Sequence, residues 1–246
     1  MSESLDRRAP VILAHRGASA YSPENTFAAF DLAREMRAPA VETDVRMTRD
    51  GALVLLHDAT VDRTTNGRGP VADLTLAEVK ALDAGRSFAP RFAGQTIPTL
   101  AEFLDRYGAV YPACIEIKAL GIEREVLDAV AAAKLAYRPT FTAFEFETVE
   151  NVCRLAPEAE VGYLTHTFDL PTIERTRAAG ARQICPKAAD LTPALIDEAR
   201  AAGLAVRAWG VGDDALLEQA ISLGVDGLTT NWPDRGLRLV AAYYGK

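Results

Sequence analysis

Residues 183–229, QICPKAADLTPALIDEARAAGLAVRAWGVGDDALLEQAISLGVDGLT, decide the fold. Residues 183–186 read as a short buried strand. Residues 193–202 read as a helix with proline in its first turn, where the missing N–H is no loss. Residues 204–209 are a second strand, 214–223 a second helix, and 225–229 a third strand. Gly203 and Gly224 follow the two helices, the positions at which helix C-termini favour glycine. Strand, helix, strand, helix, strand in so short a span is the signature of a parallel sheet covered by helices.

The same alternation extends outward in both directions. Towards the N-terminus it gives helix 171–179, strand 160–164, helix 147–155, strand 140–144, helix 122–135, strand 113–118 and helix 100–107. Towards the C-terminus it gives a last helix over 233–243. At the start of the chain, the apolar run Val11-Ile12-Leu13-Ala14 reads as a strand. Ser22 and Pro23 read as the N-cap and first residue of a helix that carries Phe27, Phe30, Ala33 and Met36 at helical spacing. Strands over 41–45 and 53–56 follow. Residues 59–98 then break the rhythm with turn formers and one expected helix over 76–82. That excursion is too long for an ordinary loop and reads as an insertion with structure of its own. About eight strand–helix units in 246 residues match a (β/α)8 TIM barrel: one domain over 1–246, with the 59–98 insertion after the second barrel strand. An open doubly wound sheet of the dinucleotide-binding kind needs a Gly-x-Gly-x-x-Gly turn, and His15-Arg16-Gly17-Ala18-Ser19-Ala20 is not one.

Active sites of such barrels gather at the C-terminal ends of the strands, and polar residues are concentrated there. In Val41-Glu42-Thr43-Asp44-Val45 the two carboxylates are two residues apart and share one face of a strand. Burying them together is costly unless a hard cation with a taste for oxygen ligands takes the charge. Glu116 is expected at the same rim, making a three-carboxylate cation site. His15 and His57 end the strands on either side of it in sequence, and histidine is the usual proton shuttle near neutral pH. Arg16 and Lys118 add cationic donors suited to a phosphate. Trp209 reads equally as core or as a substrate platform. His166 has no carboxylate neighbour in sequence and reads as a loop residue, and Cys114 as barrel filling. A cation, two proton shuttles and an anion clamp make an arrangement for phosphoryl transfer or phosphodiester cleavage.

Composition narrows the partners. Apolar residues make up 49% and charged residues 25%, with a net charge of −7. That is an ordinary globular balance without the basic excess of a nucleic-acid binder. The stretch 1–10 is polar, and the apolar run after it is too short for a signal-peptide core or a membrane span. Three widely spaced cysteines in no metal-ligand pattern read as reduced core residues of a cytoplasmic protein.

The residues also resemble a known family. His15-Arg16-Gly17, Pro23-Glu24-Asn25-Thr26, Glu42-x-Asp44-Val45, His57-Asp58, Asp62-Arg63-Thr64-Thr65-x-Gly67, Ile97-Pro98-Thr99-Leu100 and Glu116-Ile117-Lys118 are similar, in order and spacing, to motifs of the glycerophosphodiester phosphodiesterases. The resemblance implies a TIM barrel with an insertion after its second strand. It implies that Glu42, Asp44 and Glu116 hold one divalent metal ion, Ca²⁺ or Mg²⁺ with Mn²⁺ as the alternative. It further implies that His15 and His57 are the acid–base pair and that Arg16 and Lys118 lie near the phosphate. The reaction implied is cleavage of a glycerophosphodiester to sn-glycerol 3-phosphate and an alcohol, through attack of a glycerol hydroxyl and a cyclic phosphate that water opens. The sequence leaves open which histidine is acid and which base. Where the family often has Ser-Phe, Trp-Thr-Val-Asn and Thr-Asp-x-Pro, this chain has Ala143-Phe144, Trp209-Gly210-Val211-Gly212 and Thr230-Asn231-Trp232-Pro233. These departures bear on the alcohol preferred. The expected partner is a small-molecule glycerophosphodiester, with no nucleic acid and no membrane, for a monomer or homodimer. The competing readings are a relative acting on lysophospholipids or another phosphodiester, and a barrel that binds phosphodiesters or metal without turnover.

Overall fold

A computed structural model describes residues 8–245. Most of the polar N-terminal stretch, residues 1–7, lies outside the described residues. Among the described residues the sheet contains nine strands: β1 (Val11–His15), β2 (Ala40–Met47), β3 (Leu53–Leu55), β4 (Ala113–Ile117), β5 (Thr140–Ala143), β6 (Glu160–Thr165), β7 (Gln183–Pro186), β8 (Ala205–Ala208) and β9 (Gly227–Thr230). Their order is β1-β9-β8-β7-β6-β5-β4-β2-β3, and a further β1–β2 pairing closes the ring. Eight parallel strands thus form a closed barrel, and β3 is an antiparallel flap on β2. This is the TIM barrel that the alternation demanded.

The α-helices between the strands are α1 (Phe27–Glu35), α2 (Leu76–Lys80), α3 (Leu100–Tyr107), α4 (Glu123–Ala132), α5 (Phe146–Leu155), α6 (Leu170–Ala178), α7 (Pro193–Ala201), α8 (Asp214–Leu223) and α9 (Pro233–Tyr244). Their inward faces pack on the barrel in two apolar bodies. One joins α1, α3, α4 and α5 to β1, β2, β4 and β5 around Phe30, Phe103 and Tyr107. These three rings meet at centroid distances of 4.9–5.8 Å, within the range at which tilted and edge-on aromatic pairs add to burial. The other joins α6–α9 to β7–β9 around Ile184, Leu217 and Ile221. A small third cluster, with Val54, Leu56, Val61, Val71, Val79 and Ile97, lies between β3 and the residues that follow it. The segment between β3 and α3 therefore has an apolar interior of its own. Capping boxes at Thr75/Glu78 and Thr99/Glu102 start α2 and α3, each satisfying backbone donors that would otherwise be orphaned.

Several boundaries differ from the sequence reading, three helix ends among them. The first helix does not begin at Ser22–Pro23. Thr26 is its N-cap, with its hydroxyl accepting from the Ala29 N–H, and Ser22 is wholly buried. Asn25 adopts φ +54°, so the chain turns sharply before the helix can start. The helix in the long excursion ends at Lys80 rather than 82, and α4 ends at Ala132 rather than 135. Ala133 is already extended at α4's C-cap.

Candidate active site

The parallel register places the site. His15 pairs with Glu42, and Asp44 with Glu116, so the ends of β1, β2 and β4 bring their polar side chains to one barrel mouth. A cavity of about 430 Å³ opens there, lined by His15, Arg16, Glu42, His57, Glu116 and Trp209 together with residues of the later strands. Asp44 is fully buried beneath it. Lys118 follows β4 and hydrogen-bonds Glu116 at the same mouth. The turn after β1 needs its glycine. Gly17 has φ +82°, and a Cβ there would lie 2.5 Å from the Ala29 backbone. Arg16, at φ +56°, takes up an uncommon backbone conformation of the kind that clusters at functional sites. Its N–H is held by the Glu42 backbone oxygen and by Glu42 Oε2 at 2.9 and 3.0 Å.

The three carboxylates offer oxygens within 4.8 Å of one another. Each has one oxygen engaged by the protein. Glu42 Oε2 accepts from the Arg16 N–H. Asp44 Oδ2 accepts from Asn25 Nδ2 at 2.9 Å and pairs with Arg16 Nε at 3.0 Å. Glu116 Oε1 accepts from Lys118 Nζ at 2.7 Å. Glu42 Oε1 and Asp44 Oδ1 are buried with no hydrogen-bond partner, and an unsatisfied buried carboxylate oxygen is expensive. Hard carboxylate oxygens converging from two neighbouring strands, β2 and β4, with Lys118 Nζ no nearer than 3.7 Å to Asp44 Oδ1, are the donor set that Ca²⁺ or Mg²⁺ takes, so the residues present fit a divalent cation. Without one, mutual repulsion is strong. Burial, then Asp44 and Glu116, push the Glu42 carboxyl well above the usual carboxylate range. Burial and Asp44 raise Glu116 to about 7, with Lys118 opposing. Asp44 goes the other way: burial would raise it, but Arg16 and Lys118 outweigh that and hold it low.

Both histidines are anchored by Nδ1. In His15 the Nδ1–H donates to Asn231 Oδ1 at 2.5 Å. In His57 it donates to Asp58 Oδ1 at 2.6 Å. Each imidazole therefore has Nε2 left for chemistry, and His15 Nε2 lies 3.9 Å from Glu42 Oε2. Enclosure at the mouth and the neighbouring Arg16 charge lower His15 to about 4. Burial lowers His57 as well, with Asp44 and Asp58 opposing.

The far wall is aromatic. Phe144 stacks on His166 at 5.0 Å, and both meet Trp209 edge-on at 5.0 and 5.2 Å. Trp209 lies just beyond β8, and its indole N–H donates to the Thr165 carbonyl. His166 is thus more than a loop residue, since it lines the cavity. Sequence reasoning tied the Asn231 segment to alcohol preference and not to His15, and neighbouring positions could not have exposed that pairing: the two partners are 216 residues apart. It also passed over Arg207, an inward-facing arginine in a barrel strand, which was itself a signal. Arg207 forms the cavity floor, almost wholly buried, hydrogen-bonding Thr229 Oγ1 and leaving Nε and one terminal nitrogen without a partner. Cys114 is buried in the barrel interior with Leu13 and Ala40, as expected.

Fold and mouth together define a TIM barrel with a carboxylate- and histidine-lined cavity at its strand ends. The chain belongs to the glycerophosphoryl diester phosphodiesterase family, whose model matches residues 15–235. It is 36% identical over 236 residues to the glycerophosphodiester phosphodiesterase of Caldanaerobacter subterraneus subsp. tengcongensis, covering 94% of this chain and 97% of that one. Its fold is similar to the crystal structure of the glycerophosphodiester phosphodiesterase from Agrobacterium tumefaciens, with a TM-score of 0.84, 33% identity, and 95% and 99% of the two chains covered. It is likewise similar to an Oleispira antarctica phosphodiesterase solved with the product sn-glycerol-3-phosphate, with a TM-score of 0.88, 28% identity, and 94% and 97% covered. Among the described residues, no helix is long and apolar enough to cross a membrane.

Proposed function

We propose that this enzyme hydrolyses small glycerophosphodiesters to sn-glycerol 3-phosphate and an alcohol in the cytoplasm, using His15 and His57 as its proton carriers and one divalent cation, Ca²⁺ or Mg²⁺. The observation that carries the reading is the pair of imidazoles, each fixed through Nδ1 with Nε2 left free, beside three converging carboxylates. Glu42, Asp44 and Glu116 would hold the cation, which when bound supplies Lewis-acid charge to the phosphoryl oxygens. Arg16 and Lys118 supply further positive charge for the phosphate.

His15 serves as the base. Its Nδ1 partner is an uncharged amide, so the ring rests neutral and Nε2 can take the proton of a glycerol hydroxyl as that oxygen bonds to phosphorus. His57 serves as the acid. Its Nδ1 partner is the Asp58 carboxylate, which stabilises an imidazolium. Nε2 gives its proton to the departing alcohol oxygen as the P–O bond breaks. The cyclic phosphate is opened by reversal of these roles: His57 takes a proton from water and His15 returns one to the glycerol oxygen. Trp209 and Phe144 form the wall against which the alcohol rests. Replacing either histidine by alanine removes one proton transfer, and a loss of about 10²–10⁴-fold in kcat is expected for each. Turnover near the wild-type rate in both variants would contradict the reading.

A further inference from the structure

Arg63 is exposed on about half of its side chain and belongs to the segment between β3 and α3, outside the catalytic mouth. An exposed ion pair of that kind is usually worth little. Its geometry is unusual. Nε and one terminal nitrogen donate to Asp58 Oδ2 and Oδ1 at 2.7 and 3.1 Å. The two terminal nitrogens donate to Glu24 Oε2 and Oε1 at 2.7 and 2.8 Å. One guanidinium therefore grips two carboxylates, each at both oxygens, a fork that a lysine ammonium does not reproduce. Each carboxylate leads to a site residue. Asp58 receives the His57 Nδ1–H, and Glu24 receives Arg16 Nη1 at 2.9 Å. The bridge to Glu24 is not local: Glu24 lies in the β1–α1 loop, 39 residues before Arg63.

We propose that Arg63 is a positioning residue that holds Asp58, and through it the His57 ring, in the orientation that points Nε2 at the leaving alcohol, while locking the long segment onto the β1–α1 loop. Asp58 alone has free rotation about its side-chain bonds. With both its oxygens pinned by Arg63, its lone pairs face His57 in one direction only. The inference rests on the reading of His57 as a proton carrier.

The test is a double-mutant cycle on the full chain, with kcat, KM and melting temperature measured for Arg63→Met, Arg63→Lys, Asp58→Ala and Arg63→Met/Asp58→Ala. Proton-transfer groups contribute about 10²–10⁴-fold, so loss of orientation without loss of the ring should cost about 10- to 100-fold in kcat. Arg63→Lys keeps the charge and should lose nearly as much. In the Asp58→Ala background, Arg63→Met should cost less than about threefold more, because the path to His57 is already cut. A kcat within threefold of wild type in Arg63→Lys, or a full further loss in the double variant, would overturn the proposal. The His57 Nδ1–H proton provides a readout independent of turnover. Its solvent exchange, followed by nitrogen-edited NMR and assigned with His57→Ala, should accelerate at least about tenfold in Arg63→Lys, and unchanged exchange would overturn the proposal. If His57→Ala retains turnover, the His57 reading fails, and this exchange rate alone decides whether Arg63 positions the ring.

Discussion

Asn231, at the end of the last barrel strand, accepts the Nδ1–H of His15, at the end of the first, over 2.5 Å. The barrel's closure between β1 and β9 is thus also what orients a proposed catalytic base. Ser19 Oγ donates to the same amide oxygen at 3.1 Å, fixing the amide's direction. Asn231→Leu should lower kcat by roughly 10- to 100-fold with KM little changed, since tautomer and ring direction are lost while phosphate binding is kept. Asn231→Asp places an anion at Nδ1, which favours the imidazolium. The base is then protonated at higher pH, so the acidic limb of the kcat/KM profile should move to higher pH. A limb that stays in place would remove His15 from the base role.

Glu116, raised to about 7, makes the carboxylate site sensitive to pH. In the cation-free protein a raised folded-state pKa favours the protonated carboxyl. Its stabilising effect is complete below the ordinary value of 4.5 and is lost as pH rises through about 7. Relative to Glu116→Gln, the EDTA-treated wild type should lose on the order of 3 kcal/mol across that range, since each tenfold change in proton affinity carries roughly 1.4 kcal/mol. His15 slopes the opposite way in both proteins and cancels in the comparison. Binding a cation displaces that proton, so affinity should rise with pH across this range by up to about tenfold per pH unit for each proton released. Calorimetry in buffers of different ionisation enthalpy counts those protons, and a pH-independent affinity would contradict the ligand assignment of Glu116.

Arg207 lies almost wholly buried under the mouth, where its charge acts on Glu42. Gly227 leaves room for its stem, because a Cβ there would come within 3.2 Å of the Arg207 Cγ. Arg207→Met removes a buried positive charge that acts on Glu42 and leaves the carboxylates less compensated. The EDTA-treated variant should melt well below wild type, and added cation should recover more of its melting temperature than it adds to wild type. Equal gains in the two proteins would mean that Arg207 does not serve the carboxylates.

Trp209 supports the aromatic wall through Phe144 and His166. Trp209→Ala should raise KM for substrates with bulky alcohols by several-fold, consistent with about 0.5–1.5 kcal/mol for each aromatic pair it breaks. Its effect on kcat should be smaller. Substrates differing only in the alcohol separate the two, and a uniform fall in kcat would assign Trp209 to the chemistry instead.

Much of this site was legible because a barrel sends strand-end residues to one mouth. Glu42, Asp44 and Glu116 could be placed from the two-residue period and from the alternation of strands and helices alone. What escaped depends on meetings between segments far apart in the chain. Asn231 meets His15 only because the barrel closes, and Glu24 meets Arg63 only because the segment after β3 folds back. His166 looked idle because its partners, Phe144 and Trp209, come from other strands. Ser22 and Pro23 imitate a helix start, but the left-handed Asn25 delays it.

The central claim is cation-dependent release of glycerol 3-phosphate, and it is tested most directly with glycerophosphocholine and glycerophosphoethanolamine. The measurement is product release by protein treated with EDTA and then given Ca²⁺, Mg²⁺ or Mn²⁺. The account predicts loss of release in EDTA and its return with Ca²⁺ or Mg²⁺. Undiminished release in EDTA from protein shown to be free of metal would contradict the role given to Glu42, Asp44 and Glu116. No release from folded, cation-loaded protein would contradict the reaction itself.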